Sequence, residues 1–429
     1  MTLGAETLAI ISLVALILTI AVAFWRKMNP GVLAFAVTLI LAIIANIDTH
    51  TIIKGFNSNL FIILLGASFF ASIAQINGTL HLLARKVVAM AGKRAWAVPF
   101  FMYFVGVLLA ASGPGTVPGI ALATMFAAPL ALTMGAHPLL MCYPGQLGAI
   151  AGGMVPWCAT GIISNTLSAD IGYPETWLAN LFVHLVSTFI FAVYVYILFR
   201  GWRLTKSAEH EKESDIPPFN RDQRLTLIAA VVMIFIVIVF KTNIGLTCFV
   251  IGCILNLLGV TSMEDCIKKV SWGVILMVVG VGMLMHLVII AGGIDLLAQI
   301  MASISSADTI DGVISIVAGC MSWFSSTSGV VMPALIPTVP SLMEHMGLTD
   351  PNFAVAMIAS LGVGSHLAGL SPASTGGALT FAHSTGEFRD KIDHNKLFLQ
   401  MFAISVSSVL LSGVVAVSGL SEFITSIFY

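Results

Sequence analysis

The chain has 429 residues, of which 58% are hydrophobic and only 9% are charged, and its formal net charge is −1. So few charges could not cover the surface of a soluble protein of this length, and a chain without a basic excess is not expected to bind nucleic acid. Apolar runs of about 20 residues recur along the chain, as they do where helices cross a membrane. The composition therefore predicts an all-α polytopic membrane protein.

Taken in chain order, the apolar runs predict about ten transmembrane spans. They lie near residues 8–25, 29–47, 59–78, 138–165, 177–199, 225–240, 243–260, 272–291, 352–383 and 397–425. The first run is followed by Arg26 and Lys27, the reverse of the order in a cleaved signal peptide, so we expect a retained helix. Two further segments, 96–134 and 309–346, are long enough to enter the membrane and turn back. Both are predicted to be re-entrant hairpins.

The basic residues favour this topology. If both hairpins are re-entrant, the loops on one side of the membrane carry 17 of the 19 Lys and Arg residues, which the positive-inside rule assigns to the cytoplasm. Only Lys54 and Lys241 fall on the other side. A full crossing by either hairpin would reverse every later loop and destroy this agreement. We expect a multi-pass protein of the cell (inner) membrane with both termini outside.

The two halves of the chain are similar to each other. When the chain is aligned with itself, segment 62–84 matches 276–298, so that Gly66 meets Gly280, and further along Pro156 meets Pro372. We predict a first repeat at 1–200, a cytoplasmic linker at 201–224 and a second repeat at 225–429, each repeat with five spans and one hairpin. Because five is odd, the two repeats would be inverted in the membrane, as in many secondary transporters.

Four interruptions rich in glycine, proline and hydroxyl residues occupy corresponding places in the two halves. Two are hairpin tips, at 112–116 and 325–329, and two break the following span, at 155–161 and 371–377. Unpaired backbone is costly in a membrane, so such breaks persist where protein or a water-filled cavity satisfies them. Free N–H groups at helix starts suit an anion, and free carbonyls suit a cation. A binding site near the membrane midplane is expected.

The predicted ligands of a substrate are Ser112, Gly113, Gly115, Thr116, Thr160, Ser325, Ser326, Thr327, Ser328, Ser371, Ser374 and Thr375. The predicted ligands of a cation are Ser112, Gly153, Ser164, Asn165, Ser325 and Gly376. The alternative for any hydroxyl is a structural bond to the preceding turn. No Asp, Glu, Lys or Arg is assigned well inside a span, so we expect Na⁺ as the coupling ion, with no cofactor and no transition metal. If protons couple instead, His366 beside the second break is the foremost candidate.

These features resemble the ion transporter superfamily: its divalent anion/sodium symporters and, more closely in the glycine- and proline-rich breaks, the MatC-type dicarboxylate carriers. The resemblance runs from about Leu60 to Phe402. In that family each hairpin tip reads Ser-Asn-Thr, whereas both tips here lack the asparagine and the one Ser-Asn-Thr, at 164–166, follows the first broken span. The resemblance implies a homodimer that moves a di- or tricarboxylate with Na⁺ by an elevator-like motion.

The expected function is secondary active transport of a small organic anion, a C3 or C4 dicarboxylate, with Na⁺. An H⁺-coupled carboxylate carrier is one alternative, and an ion antiporter of the same superfamily, which would need a buried Asp or Glu, is another. A membrane-embedded enzyme is a third, but the histidines show no HExxH-like spacing. The partners implied are the carboxylate, the lipid bilayer and a second copy of the chain.

Overall fold

The computed structural model describes residues 4–26, 28–89, 95–113, 115–204, 216–240, 242–323, 325–388 and 391–429. Within these ranges the secondary structure is helical, and no strand is present. The first half contains α1 (Ala5–Arg26), α2 (Pro30–Ala45), α3 (Thr49–Lys54), α4 (Ser58–Ile76), α5 (Thr79–Ala89), α6 (Val98–Ala111), α7 (Thr116–Thr133), α8 (Pro138–Gly152), α9 (Ala159–Asp170) and α10 (Trp177–Leu198).

The second half begins with α11 (Arg221–Phe240), α12 (Ile244–Leu257), α13 (Met263–Lys269), α14 (Trp272–Ile290), α15 (Gly293–Ser303) and α16 (Ile310–Ser322). A π-helical turn (Thr327–Val331) then leads into α17 (Met332–Leu335) and α18 (Val339–Met346). The last helices are α19 (Pro351–Ala368), α20 (Thr375–Phe388), α21 (His394–Val417) and α22 (Leu420–Phe428). The all-α prediction is confirmed.

Seven helices of the described chain are long and apolar enough to cross a membrane, and the bent pair at 310–346 would make eight. The seven are α1, α4, α7, α10, α14, α19 and α21. Six of the seven belong to the ten predicted spans, whereas α7 belongs to the first predicted hairpin. The other four predicted spans are α2 and α12, which have only 16 and 14 residues, α11, and the span at 138–165, which is divided into α8 and α9. The chain is thus a polytopic membrane protein, and the count of ten depends on including short and interrupted helices.

Both predicted breaks interrupt a helix. Residues 153–158 separate α8 from α9, and residues 369–374 separate α19 from α20. The first hairpin consists of α6 and α7, with Gly119 of α7 so close to α6 that a Cβ there would lie 2.7 Å from that of Ala110. The second hairpin segment bends by 116° between α16 and residues 327–346. The last residues of the predicted linker form the start of α11 at Arg221, and its residues 205–215 lie outside the described ranges.

Equivalent positions in the two halves make similar contacts. The side chain of Asn29 caps α2 and donates from Nδ2 to the Gly273 carbonyl at 2.8 Å. The side chain of Asn243 caps α12 and donates from Nδ2 to Oδ1 of Asn59 at 3.1 Å. In the alignment of the two halves Asn29 corresponds to Asn243, and Asn59 corresponds to Gly273. Each half therefore uses its second long helix to contact the fourth helix of the other half.

Small residues bring these helix pairs into backbone contact. A Cβ on Gly31 of α2 would lie 2.1 Å from the Leu276 carbonyl oxygen of α14, and one on Gly245 of α12 would lie 2.4 Å from that of Ile62 in α4. Between helices in a membrane, such close approach supplies dispersion contacts that lipid-exposed apolar surface does not. The pairs α2–α14 and α4–α12 pack beside the group made by α6–α10 and α16–α22, and the main cavity opens between them.

Candidate functional site

A cavity of about 950 Å³ is lined by both hairpin tips, both helix breaks and the facing surfaces of α4 and α14. Its size is within the usual range for small-molecule sites. Ten of the sixteen residues predicted from sequence line it: Gly113, Thr116, Thr160, Ser325, Ser326, Thr327, Ser328, Ser374, Thr375 and Gly376. Tips and breaks from opposite halves of the chain are therefore brought to one place.

The first tip depends on glycine. Gly113 and Gly115 have φ angles of 125° and 83°, which side-chain-bearing residues rarely adopt, and this reversal places Thr116 at the start of α7. The Thr116 hydroxyl shares a 3.0 Å hydrogen bond with that of Thr160 in α9. Gly153 at the end of α8 makes room for this contact, since a Cβ there would lie 2.0 Å from Oγ1 of Thr116.

The first break is bonded to the end of α6. Trp157 donates from Nε1 to the Ala111 carbonyl at 2.7 Å, and the Cys158 thiol donates to the Ala110 carbonyl at 3.2 Å. Carbonyls at a helix end would otherwise lack partners. Tip and break of the first half are therefore one hydrogen-bonded unit, which the sequence analysis did not identify.

The second tip is bonded to α19 in a related way. Thr327 donates its hydroxyl to the Ser365 carbonyl at 3.0 Å and lies 3.0 Å from the Ser322 hydroxyl oxygen. The side chain of Ser326 caps the π-helical turn by accepting from the Gly329 N–H at 3.2 Å. Ser325 donates to the Met321 carbonyl at 2.7 Å, so its proton is used on the end of α16.

The second break is satisfied by side chains from the first half. Gln146 of α8, which is fully buried, donates from Nε2 to the Gly369 carbonyl at 2.7 Å and accepts from Thr380 of α20 at 2.6 Å. Tyr143 donates to the Leu370 carbonyl at 2.8 Å. Ser374 donates to the Gly369 carbonyl at 2.7 Å as well. Gln146 lines the cavity, and its amide inside an apolar span was the signal in the sequence that would have identified it.

Among the cavity-lining hydroxyls of the tips and breaks, two have no hydrogen-bond partner among the described residues, and the hydroxyl of Ser271, just before α14, is a third such group in the cavity. Ser328 and Thr375 line the cavity, and neither side chain forms a hydrogen bond to any described residue. Ser328 follows Thr327 in the second tip, and Thr375 is the first residue of α20. Within the tips and breaks, these two hydroxyls are therefore the most available to a ligand.

Six predicted residues do not line the cavity: Ser112, Gly115, Gly153, Ser164, Ser371 and Asn165. Ser112 donates back to the Leu109 carbonyl, and the buried Ser371 accepts from the Ala373 N–H. Ser164 and Asn165 accept hydrogen bonds from Asn180 and Thr176, near the start of α10. The chain's one Ser-Asn-Thr sequence is thus directed to a helix contact and is not brought to the cavity.

Among the described residues that line the cavity there is no Asp, Glu, Lys or Arg, and His366 is their one titratable side chain apart from hydroxyls. A carboxylate is nevertheless buried elsewhere, which the sequence analysis missed. Asp311, in the first turn of α16, is 3% exposed, and neither of its oxygens has a hydrogen-bond partner among the described residues. The described residues contain no group of three or more His, Cys, Asp or Glu side chains placed to hold a metal ion.

Comparison with known proteins gives two informative matches. Residues 6–153 match the family model for the dicarboxylate carrier protein MatC N-terminus. The fold is similar to that of the YdaH transporter of Alcanivorax borkumensis, with a TM-score of 0.58, 13% sequence identity, and coverage of 86% of this chain and 87% of that chain. No curated protein matches the chain.

These findings bear on the expectations from sequence. The family model covers the N-terminal third of the chain, including α1–α8 and thus the first hairpin. The structural match, at this low identity, concerns the fold alone, and it extends over most of both chains. The resemblance inferred from the glycine- and proline-rich breaks is confirmed. The chain is a polytopic membrane protein that resembles the MatC-type dicarboxylate carriers over its N-terminal third and has the fold of a transporter, which indicates a transporter and not an enzyme.

Proposed function

We propose that the protein is a secondary active transporter that carries a C3 or C4 dicarboxylate together with Na⁺. The observation that carries this proposal is the convergence of helix starts on a cavity whose described lining has no charged side chain. Thr116, Thr160, Thr327 and Thr375 stand at or next to the first residues of α7, α9, the π-helical turn and α20, and all four line the cavity. Helix starts offer N–H groups and a positive dipole end to an anion.

The charge balance supports a cation partner. A dicarboxylate brings two negative charges into a cavity whose described lining has no Lys or Arg to neutralise them. Burying unpaired charge is costly, so a bound cation would lower the cost of loading the site. Carbonyl and hydroxyl oxygens at the breaks suit Na⁺, with Gly153, Gly376, Ser112 and Ser325 as the proposed contributors closest to the tips. Ser164 and Asn165 do not line the cavity in this structure, so we propose them as cation ligands only for a conformation in which they reach it.

An elevator-like movement of one helix group against the other is part of the proposal. The reciprocal contacts of Asn29 and Asn243 support two inverted repeats, an arrangement typical of secondary transporters. In each half the tip is hydrogen-bonded to the broken span that follows it, through Thr160 of α9 in the first half and Ser365 of α19 in the second, so tip and span could move as a unit against the α2–α14 and α4–α12 pairs. We further propose that the protein is a homodimer of the inner membrane, with the α6–α10 and α16–α22 group as the moving part.

The transport assay uses purified protein in liposomes with labelled succinate or malonate. We expect uptake when an inward Na⁺ gradient is imposed, no concentrative uptake with K⁺ in its place, and continued uptake after an ionophore collapses the proton gradient. Uptake that requires only a pH gradient would overturn Na⁺ coupling. Failure of both dicarboxylates, with uptake of another solute, would overturn the substrate class.

The site itself is tested by Ser328→Ala and Thr375→Val, which remove two hydroxyls, in the second tip and at the start of α20, that have no partner among the described residues. Each is expected to weaken succinate binding by roughly ten- to a hundredfold, because a hydrogen bond to a charged ligand is worth about 1.5–3 kcal/mol. Thr385→Val is the matched control, since Thr385 lies later in α20, is outside the cavity lining and bonds back to the Phe381 carbonyl. Folded Ser328 and Thr375 variants that bind like the unmodified protein would contradict the site assignment.

A further inference from the structure

Two histidine rings meet at the edge of the cavity. His184 belongs to α10 and His366 to α19, and their ring centroids are 5.4 Å apart with an 82° angle between the planes. His366 lines the cavity, whereas His184 lies behind it and is fully buried. Neither ring takes part in the hydrogen bonds that hold the tips and breaks.

Both rings have the same tautomer. Nδ1 of His184 lies 2.8 Å from the Asn180 carbonyl oxygen, and Nδ1 of His366 lies 2.8 Å from that of Gly362. A carbonyl oxygen can only accept a hydrogen bond, so each Nδ1 carries the hydrogen and each neutral ring presents a bare Nε2. Nε2 of His184 is buried and has no partner among the described residues. The pair therefore offers two acceptors and no donor.

The surrounding protein does not supply the missing donor. A Cβ on Gly362 would lie 2.8 Å from Cε1 and 2.9 Å from Nε2 of His184. The rings of both histidines therefore lie next to Gly362, since His366 is bonded to its carbonyl. Tyr103 and Tyr143 donate their hydroxyls to the Leu185 and Leu370 carbonyls instead. The other charged or titratable side chains on helices packed against α10 and α19 include Cys142, Asp170, Arg203, Asp311, Cys320, Glu344, His345, Lys396 and Glu422, and the described structure shows no hydrogen bond from any of these to either ring.

We propose that one proton binds with each dicarboxylate, held between Nε2 of His366 and a carboxylate oxygen of the ligand, with His184 as a second acceptor behind it. This inference rests on the proposed function and specifies the transported species. The proton comes from bulk water, neutralises one of the two ligand charges, and gives the Nε2 acceptor its donor. The proton and Na⁺ together neutralise the ligand, because the described cavity lining contains no cationic side chain.

Isothermal titration calorimetry of the purified full chain with succinate and with malonate tests this, in Na⁺-containing phosphate and Tris at pH 7.5, because the two buffers differ in ionisation enthalpy. The buffer-dependent heat measures protons taken up on binding. We expect about one proton per dicarboxylate and an affinity that weakens by about tenfold per pH unit in the alkaline range, as linkage requires for one coupled proton. His366→Gln should bind with no proton uptake. His184→Gln should retain binding with reduced uptake.

His383→Gln is the matched control. His383 lies in α20 outside the cavity lining, and its Nδ1 is 2.8 Å from the Thr124 hydroxyl oxygen, so this variant should keep the proton uptake of the unmodified protein. Binding of either dicarboxylate without proton uptake would overturn the inference and leave the proposed function intact. Proton uptake that persists in both His366→Gln and His184→Gln would show that the proton binds to another group and would overturn the inference. Absence of binding by both dicarboxylates would overturn the proposed function and this inference together.

Discussion

Asp311 shows how a single buried side chain affects the stability of the second hairpin. Its residue neighbour Gly312 is in such close contact with α21 that a Cβ there would lie 2.5 Å from Val417. The carboxylate is thus enclosed between helices, without a donor to either oxygen among the described residues. A buried polar group with no partner costs free energy, and more so if it is charged.

Replacing Asp311 with Asn should stabilise the protein. The substitution keeps the shape and leaves a neutral amide, so it removes the cost of burying an ionised carboxylate or of protonating it on folding, and we expect the free energy of unfolding at neutral pH to rise by about 1–3 kcal/mol. Thermal unfolding in detergent measures the change. Asp308→Asn, on an exposed residue three positions earlier, should leave the melting temperature unchanged. A clear loss of stability in Asp311→Asn would show that the carboxylate has a binding partner.

At the scale of single elements, the bond between the first tip and the first break determines whether the hairpin can hold its shape. The α6 end is held by Trp157 and Cys158, two residues that belong to the break and not to the hairpin. Trp157 is only partly buried, so its indole N–H is the more easily tested of the two contacts. Loss of this bond should loosen the tip without affecting distant helices.

Trp157→Phe removes the N–H donor and keeps an aromatic ring. We expect a local loss of about 0.5–1.5 kcal/mol, the net value of one such hydrogen bond. Hydrogen–deuterium exchange should therefore speed up by roughly two- to tenfold in peptides that cover 108–119, with little change in α10. Trp202→Phe, on a side chain that is 54% exposed, is the control and should leave the tip unaffected. Equal exchange in the two variants would show that Trp157 does not hold the tip.

At the scale of the whole molecule, the two halves are joined through two equivalent glycine contacts. Gly31 lies against α14 and Gly245 against α4, each at backbone distance. The same side-chain volume added at either position would have to displace a helix of the other half. The two contacts lie in different helix pairs and share no residue.

Gly31→Ala and Gly245→Ala should each destabilise the protein by about 1–3 kcal/mol, the usual cost of overpacking. The effects should add in the double variant, because separate contacts couple weakly. Gly282→Ala in α14 is the matched control, since a Cβ there would meet no atom within 4 Å. Melting temperatures in one detergent measure all four. Neutral single variants would contradict the close packing of α2 on α14 and of α12 on α4.

The sequence predicts the helices and breaks better than the contacts that complete the site. Apolar runs and clusters of Gly, Pro and Ser are local signals, so the hairpins and both breaks could be located before the structure was known. The bond from Gln146 to Gly369 joins residues 223 positions apart, and no local pattern predicts it. Asp311 was overlooked because it stands at the edge of a predicted segment. The Ser-Asn-Thr at 164–166 has the residues of the family's tip motif, but it does not lie at a hairpin tip.

The support of the second break by the first half makes the two repeats unequal. In the alignment that pairs Pro156 with Pro372, Tyr143 and Gln146 correspond to Ala359 and Gly362, which have no polar side chain to return the same hydrogen bonds. Gly362 instead accommodates the ring of His184. The two halves are therefore not interchangeable, because a protein made of two copies of the second half would lack Tyr143 and Gln146 and leave both of its breaks without these hydrogen bonds. The correspondence of the halves is kept in the helix order and lost at the cavity.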